Sequence, residues 1–208
     1  MACRPSSADA RRRLFQQAEG WFQRGQAALL KSLPCREGCT RCCYGPFAIT
    51  LLDELELQHG LQTLPVQTQQ DIHTRAQAQV AMMEDAFPRL TQSRHLDQWS
   101  EHDVDEVVTR FGDLPCPALS SDGRCQLYAH RPITCRMMGL PIEVNGFTQG
   151  ACEVQTFIPV IRISEALRQD EDRLAEQEAR LIAEQRYITS SNGEEVLLPY
   201  GFLPSSVA

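Results

Sequence analysis

The 208-residue chain has no uninterrupted apolar run long enough for a bilayer-spanning helix; its longest candidates are broken by charge or proline within a few positions. No membrane span is expected. The amino terminus, Met-Ala-Cys-Arg-Pro-Ser-Ser-Ala-Asp-Ala-Arg-Arg-Arg, lacks the apolar core of a secretion signal, and Asp9 and Glu19 speak against a transit peptide. A cytoplasmic location follows as the expectation. Basic character is scarce as well: the net charge is −7 and the one dense basic run is Arg11 to Arg13, so attraction to phosphate backbones, and with it nucleic acid as a partner, is not expected. Low-complexity tracts and long repeats are lacking, and no Gly-rich strand-to-helix turn offers a cradle for a nucleotide. What remains is a globular chain, with 42% apolar residues to build a core and a length that suits one domain.

Against these absences stand nine cysteines, eight of them in two sets: Cys35, Cys39, Cys42 and Cys43, then Cys116, Cys125, Cys135 and Cys152. The first set has the spacing C-x3-C-x2-C-C. The second lies among prolines and glycines, where a chain turns sharply rather than packs. Cysteines used as small apolar filler would be scattered through periodic segments. In a reducing cytosol such thiols stay reduced or bind metal, and the neighbours Cys42 and Cys43 fit poorly into a structural disulfide framework. Cys3, near the terminus, is the odd thiol and is given no role.

The rest of the chain reads as mainly helical. Leu14, Phe15, Ala18, Trp21, Phe22, Ala28 and Leu29 recur at intervals of three and four, predicting a helix over 8–31 that Pro34 ends. A short helix is predicted over Leu52 to His59, stopped by Gly60. Another is opened by Pro65, carries Ile72, Ala76, Val80 and Met83, and stops before Pro88. Glu101 to Phe111 follows, ended by Gly112. From Leu114 onward Pro115, Pro117, Asp122-Gly123, Pro132, Gly139 and Pro141 break the chain repeatedly, with Asp122-Gly123 a turn signal. Ile142 to Thr148 reads as a hairpin turning at Asn145-Gly146. Ser164 to Gln185 is the longest helix, with Ser164 as its N-cap and Leu167, Leu174 and Leu181 seven residues apart. Such a heptad admits a protein partner on the C-terminal helix, although three leucines more often mark a stripe packed on the chain's own core. The tail from Tyr187 to Ala208 is expected to be a loop or short hairpin.

Zinc and iron need thiolate sulfurs close to the ion, about 2.3 Å for zinc, so ligands come from tight turns plus a second segment folded over them. Gly38 supplies a flexible point inside the first set. If Cys35 to Cys43 were instead one helix, offsets of 0, 4, 7 and 8 would put all four on one face, as a cysteine core stripe. But eight steps of helical rise separate the end cysteines by about 12 Å, too far to share one small ion. The segment is then either a looped knuckle or a set of ligands divided between centres that the later cysteines complete. Two four-sulfur sites, a cluster plus a zinc, or a single centre with spare thiols all remain open. Pro132 suits the start of a helix, which would put Cys135 in a first turn where backbone dipoles favour thiolate. Arg131 and Arg136 could offset sulfur charge, since residues 115–136 hold three arginines against Asp122 alone. His130 is read as a group outside the ligand set rather than as a ligand.

Taken together, C-x3-C-x2-C-C, Cys116-Pro-Ala-Leu, Asp122-Gly-Arg-Cys125, Tyr128, Arg131-Pro132 and Cys135-Arg136 resemble the YkgJ-like cysteine-cluster family, to which zinc or iron chelation is ascribed. The likeness covers roughly residues 34–153. It implies that the eight matching cysteines form the metal-binding set, and it implies no particular reaction. Some relatives with this pattern look like flagellin lysine N-methylases, in which an iron–sulfur cluster accompanies methyl transfer from S-adenosylmethionine; that enzyme is the alternative function, for which this chain is short. Cys35-x3-Cys39-x2-Cys42 also coincides with the radical S-adenosylmethionine motif, but repeated strand–helix units of a β/α barrel are missing.

The fold expected is therefore mainly α, a single domain of amphipathic helices around a cysteine-rich loop core with a small β-hairpin. Residues 1–33 would be an N-terminal helix packed on the domain, 34–160 the cysteine-cluster metal-binding domain, and 161–208 a charged helix and tail. The ligand set comprises Cys35, Cys39, Cys42, Cys43, Cys116, Cys125, Cys135 and Cys152. All-thiolate coordination serves zinc and a 4Fe–4S cluster equally, in a redox or metal-handling role, and no catalytic residue is assigned.

Overall fold

A computed structural model describes residues 6–28, 38–140, 142–144, 147–149 and 164–204; of Ala28 and of the residues within 142–149 it describes the backbone alone. The described chain is mainly helical. No described helix is long and apolar enough to cross a membrane. The chain falls into two compact units, one drawn from Met1–Cys42 and Ile133–Gln185, the other from Cys43–Pro132 and Arg186–Ala208.

In the first unit, α1 (Ser7–Ala28) buries the stripe its periodicity predicts: Leu14, Phe15, Ala18, Trp21 and Phe22. The residues expected to continue this helix, from Leu29, lie outside the described residues. Fully burying a side chain of this size contributes roughly 1.5–3 kcal/mol. The Trp21 indole N–H donates to the Leu167 carbonyl at 2.8 Å, so its one polar atom is satisfied. Leu167 belongs to α7 (Glu165–Thr189), whose Ser164 hydroxyl accepts from the Leu167 N–H at 3.3 Å, as the N-cap reading requires. Leu174, Leu181 and Ile182 are buried, so much of the leucine stripe is spent within the chain. Short α6 (Ile133–Met137) packs on α1, where Arg136 is buried over the Phe15 ring and pairs with Glu19 at 3.3 Å. The expected hairpin is present as β2 (Ile142–Val144) antiparallel to β3 (Phe147–Gln149), with Val144 opposite Phe147; its Asn145-Gly146 turn lies outside the described residues.

The second unit is built on α2 (Leu51–Leu61) and α3 (Val66–Ala86), followed by α4 (Arg89–Gln92) and α5 (Glu101–Arg110). Thr50 and Asp53 form a capping box at the start of α2, and Ser100 and Asp103 form another on α5. Ile72, Ala76, Val80 and Met83 of α3 all enter the core. Gly60 does not stop α2, as expected, but lies inside it. A Cβ there would come within 2.5 Å of the His130 Cβ, so the absent side chain admits a neighbour rather than ending a helix.

The tail is also a correction. In place of a loop or short hairpin, α7 runs on to Thr189, β4 (Glu195–Leu197) pairs antiparallel with β1 (Ala48–Thr50), and Leu198–Phe202 forms a buried 3-10 turn. Val196, Leu197, Leu198, Tyr200 and Phe202 are all core residues, and burial of that apolar run is what ties the tail down.

Candidate metal centre

The first cysteine segment is not a helix over the part described. Residues 38–47 run as turns and irregular chain, with Gly38 at φ +89°, which agrees with a looped knuckle. Cys39 and Cys42 fall in the first unit. Cys43 is the first residue of the second unit, where it meets the later set: the Cys116 N–H donates to the Cys43 carbonyl at 2.7 Å, and the Gly45 N–H donates to the Leu114 carbonyl at 2.8 Å. Tyr44 faces Pro115 in this antiparallel bridge, so Cys43 falls opposite Cys116, and directly opposed positions share a face. Two cysteines more than seventy residues apart are thereby neighbours.

Cys116 opens a compact turn. The Leu119 N–H donates to the Cys116 carbonyl at 2.9 Å, and the main-chain N–H groups of Ala118 and Leu119 both stabilise negative charge on its sulfur. The chain then doubles back: Ser120 N–H donates to the Arg124 carbonyl at 2.9 Å and Gln126 N–H to the Ala118 carbonyl at 2.9 Å, with Gly123 at φ +79° in the Asp122-Gly123 turn. The bridge between Leu119 and Cys125 in this turn returns Cys125 close enough to Cys116 for the two sulfurs to interact electrostatically.

Burial dominates the Cys116 thiol and pushes it up to about 12 from 9.0, and a neighbouring thiolate at Cys125 would push it the same way. The Ala118 and Leu119 amides and the Arg75 guanidinium pull it down. Such a sulfur keeps its proton at neutral pH until a cation displaces it.

Two residues that sequence reasoning passed over hold this loop. Gln79 on α3, itself buried, donates to the Pro115 carbonyl at 2.7 Å; Arg75, one turn earlier, donates to the Pro117 carbonyl at 2.8 Å and to Gln126 Oε1 at 3.0 Å. Their signal was an i, i+4 pair of long polar side chains beside the apolar stripe of α3, which looks like an ordinary solvent face.

Cys135 is the third residue of α6, in its first turn, with Pro132 just before the helix, as the sequence suggested. The arginines have partners of their own: Arg136 pairs with Glu19, while Arg131 stacks on the Tyr128 ring at 4.0 Å and donates to the Tyr128 carbonyl. His130 meets Glu56 through Nδ1 at 2.9 Å and the edge of His59. Cys35 and Cys152 lie outside the described residues. The six described members of the set, Cys39, Cys42, Cys43, Cys116, Cys125 and Cys135, stand as thiols of partial exposure. Among the described residues, no three His, Cys, Asp or Glu side chains form a group that could hold a metal ion. In donor chemistry the set fits zinc or an iron–sulfur cluster, both of which take thiolate sulfur, and the Cys116 turn supplies the amide donors that a bound thiolate needs.

Comparison with curated proteins and with solved structures gives no match. Residues 34–153 match the family CxxCxxCC, described as "Putative zinc- or iron-chelating domain", and since that span is more than half of the chain, the protein belongs to this family.

Proposed function

We propose that the protein holds a 4Fe–4S cluster or zinc through Cys35, Cys39, Cys42, Cys43, Cys116, Cys125, Cys135 and Cys152, with residues 34–160 as the metal-binding stretch, in a redox or metal-handling role. The observation that carries this reading is the Cys116 turn. Two main-chain amides favour a thiolate on a sulfur that burial otherwise keeps protonated, and Cys43 stands opposite it beside the isolated Tyr44–Pro115 bridge.

Metal binding must then release protons, because each coordinating thiol binds as thiolate. Apparent affinity rises with pH throughout the range below about 12, where Cys116 on its own is protonated. The test is anaerobic purification followed by visible absorption and quantification of iron, zinc and acid-labile sulfide. Brown protein containing sulfide identifies a cluster, and colourless protein with stoichiometric zinc identifies zinc. Loss of bound metal in Cys43→Ser and Cys116→Ser, with helical content retained, supports the ligand assignment. If anaerobically purified protein carries neither metal and all its cysteines titrate as thiols, the proposal fails.

A further inference from the structure

The end of the second unit is fastened along a seam that contains no cysteine. Leu96 N–H donates to the Glu195 carbonyl at 3.0 Å, and His95 forms an antiparallel bridge with Val196. The Asp97 carboxylate accepts from the main-chain N–H of Glu194 at 2.8 Å and of Glu195 at 3.4 Å. On the opposite edge β4 pairs with β1, and Leu198 N–H donates to the Phe47 carbonyl at 2.8 Å. Residues 193–198 therefore form a middle strip between residues 95–97 and β1.

His95 is pressed into this seam. A Cβ on Gly193 would lie 2.5 Å from the His95 Cβ and Cγ, and the ring's Nδ1 is buried with no hydrogen-bond partner. As an acceptor in a neutral imidazole, that nitrogen forgoes one bond. As the N–H of an imidazolium it would be a buried, unsatisfied charged donor, which is much less favourable. The surroundings divide. Arg94 on the same segment opposes the charge, while Asp97, Glu54 of α2 and the Glu195 carbonyl of β4 favour it. Two of these favourable groups are already engaged, Glu54 by Nη2 of Arg94, which donates to both carboxylate oxygens at 2.8 and 2.9 Å, and Asp97 by the amides of Glu194 and Glu195. Burial first and Arg94 second hold the imidazole below its ordinary 6.5.

We propose that His95 is the acid-sensitive pin of a clasp: its neutral form lets residues 193–198 lie across residues 95–97, and its protonation releases that strip and with it the strand partner of β1. Because β1 begins three residues after Gly45, release slackens the chain that follows Cys43.

The opened seam binds the proton with ordinary affinity and the closed seam binds it less well. Opening therefore increases as pH falls through 6.5, and levels off below the closed-state value. One proton limits the effect to about tenfold per pH unit. Glu195 in the same strip acts in the opposite sense. Burial, Asp97 and Glu194 raise its carboxyl above 4.5, so its protonation favours the closed seam at more acid pH. Glu194 itself is tied to Arg186 at 2.8 Å. The clasp is weakest between these two titrations.

Hydrogen exchange of the full chain, followed by mass spectrometry from pH 7.5 to 5.5 and corrected for intrinsic rates, tests this. Peptides covering 93–98 and 193–198 should open together about three- to tenfold more at pH 5.5, while α3 stays flat, and His95→Gln should abolish the dependence. Exchange independent of pH, a dependence shared by α3, or one that persists in the variant overturns the proposal. An NMR titration of the wild-type His95 ring needs no variant: a midpoint below 6.5 supports the pin, and one at or above it refutes it.

Discussion

Replacing Gln79 by leucine should unfasten the Cys116 loop while leaving α3 helical. The substitution keeps side-chain bulk and removes a donor that reaches the Pro115 carbonyl, at 2.7 Å from a residue only 7% exposed. The bond is part-buried, so leaving the Pro115 carbonyl unsatisfied costs at most about 1–3 kcal/mol. If that cost falls on local opening of the loop, the open population rises by about 5- to 160-fold, since 0.59 kcal/mol is one factor of e. Cys116 reports the opening. Held in the folded loop, with its thiol pushed up to about 12, it is thiolate in about one molecule in ten thousand at pH 8; released to its ordinary 9.0, it is thiolate in about one in ten. The total range is thus about a thousandfold, and the variant should use part of it. In protein stripped of metal by chelation, alkylation of Cys116 mapped by mass spectrometry should accelerate about 5- to 160-fold in Gln79→Leu at unchanged circular dichroism, with the denatured chain giving the upper limit. A Cys116 rate within twofold of the wild type, or a wild-type rate already equal to that of the denatured chain, would refute the account of the loop. The same shift fixes a pH dependence. The metal-free folded state holds this proton more tightly than the unfolded chain, so the stability contributed by protonated Cys116 is intact below pH 9 and is lost as pH rises towards 12.

Other substitutions probe the second unit more widely. Glu54→Gln leaves Arg94 without its carboxylate in a pair whose side chains are 3% and 16% exposed, and should lower stability by about 3–5 kcal/mol in denaturant titration; a loss under about 1 kcal/mol would mean that solvent replaces the partner. Gly60→Ala forces a methyl group to within 2.5 Å of the His130 Cβ and should cost about 1–3 kcal/mol through overpacking, measured the same way; a neutral outcome would show that the Tyr128–His130 turn moves freely off α2. Ser190, just beyond α7, is a non-glycine residue at φ +51°, so Ser190→Gly should stabilise by about 1 kcal/mol and raise the thermal midpoint, whereas Ser190→Ala should not.

The pattern of these effects explains why some features were legible in the amino-acid order and others were not. Helices α1 and α3 were readable because their buried residues repeat at 3 and 4, and that local signal needs no knowledge of the partner surface. The Asp122-Gly123 turn was readable because a positive φ selects glycine locally. The tail misled because Val196 to Phe202 carries neither period, being only an apolar run between turn residues. A three-residue strand such as β4 is specified by its partner β1, nearly 150 residues earlier, and by the pins at Leu96 and Asp97. Gly60 misled for a related reason. A glycine that ends a helix and one that admits a histidine look alike until the neighbour is in place.

The cysteine set shows both kinds of information at once. Spacing alone announced metal-ligand chemistry, whereas the helical-rise calculation applied only to a continuous helix, which residues 38–47 do not form. The pairing of Cys43 with Cys116 depends on a short antiparallel contact, and the position of that loop depends on Gln79 and Arg75, whose sequence context reads as solvent-facing. The proposed ligand identity is thus written in residue type, whereas the position of these cysteines is written in hydrogen bonds to main-chain carbonyls, which any long polar side chain can make. Residues that position such a centre are accordingly to be sought on the helices that receive the cysteine loop, among polar side chains that remain buried beside an apolar stripe.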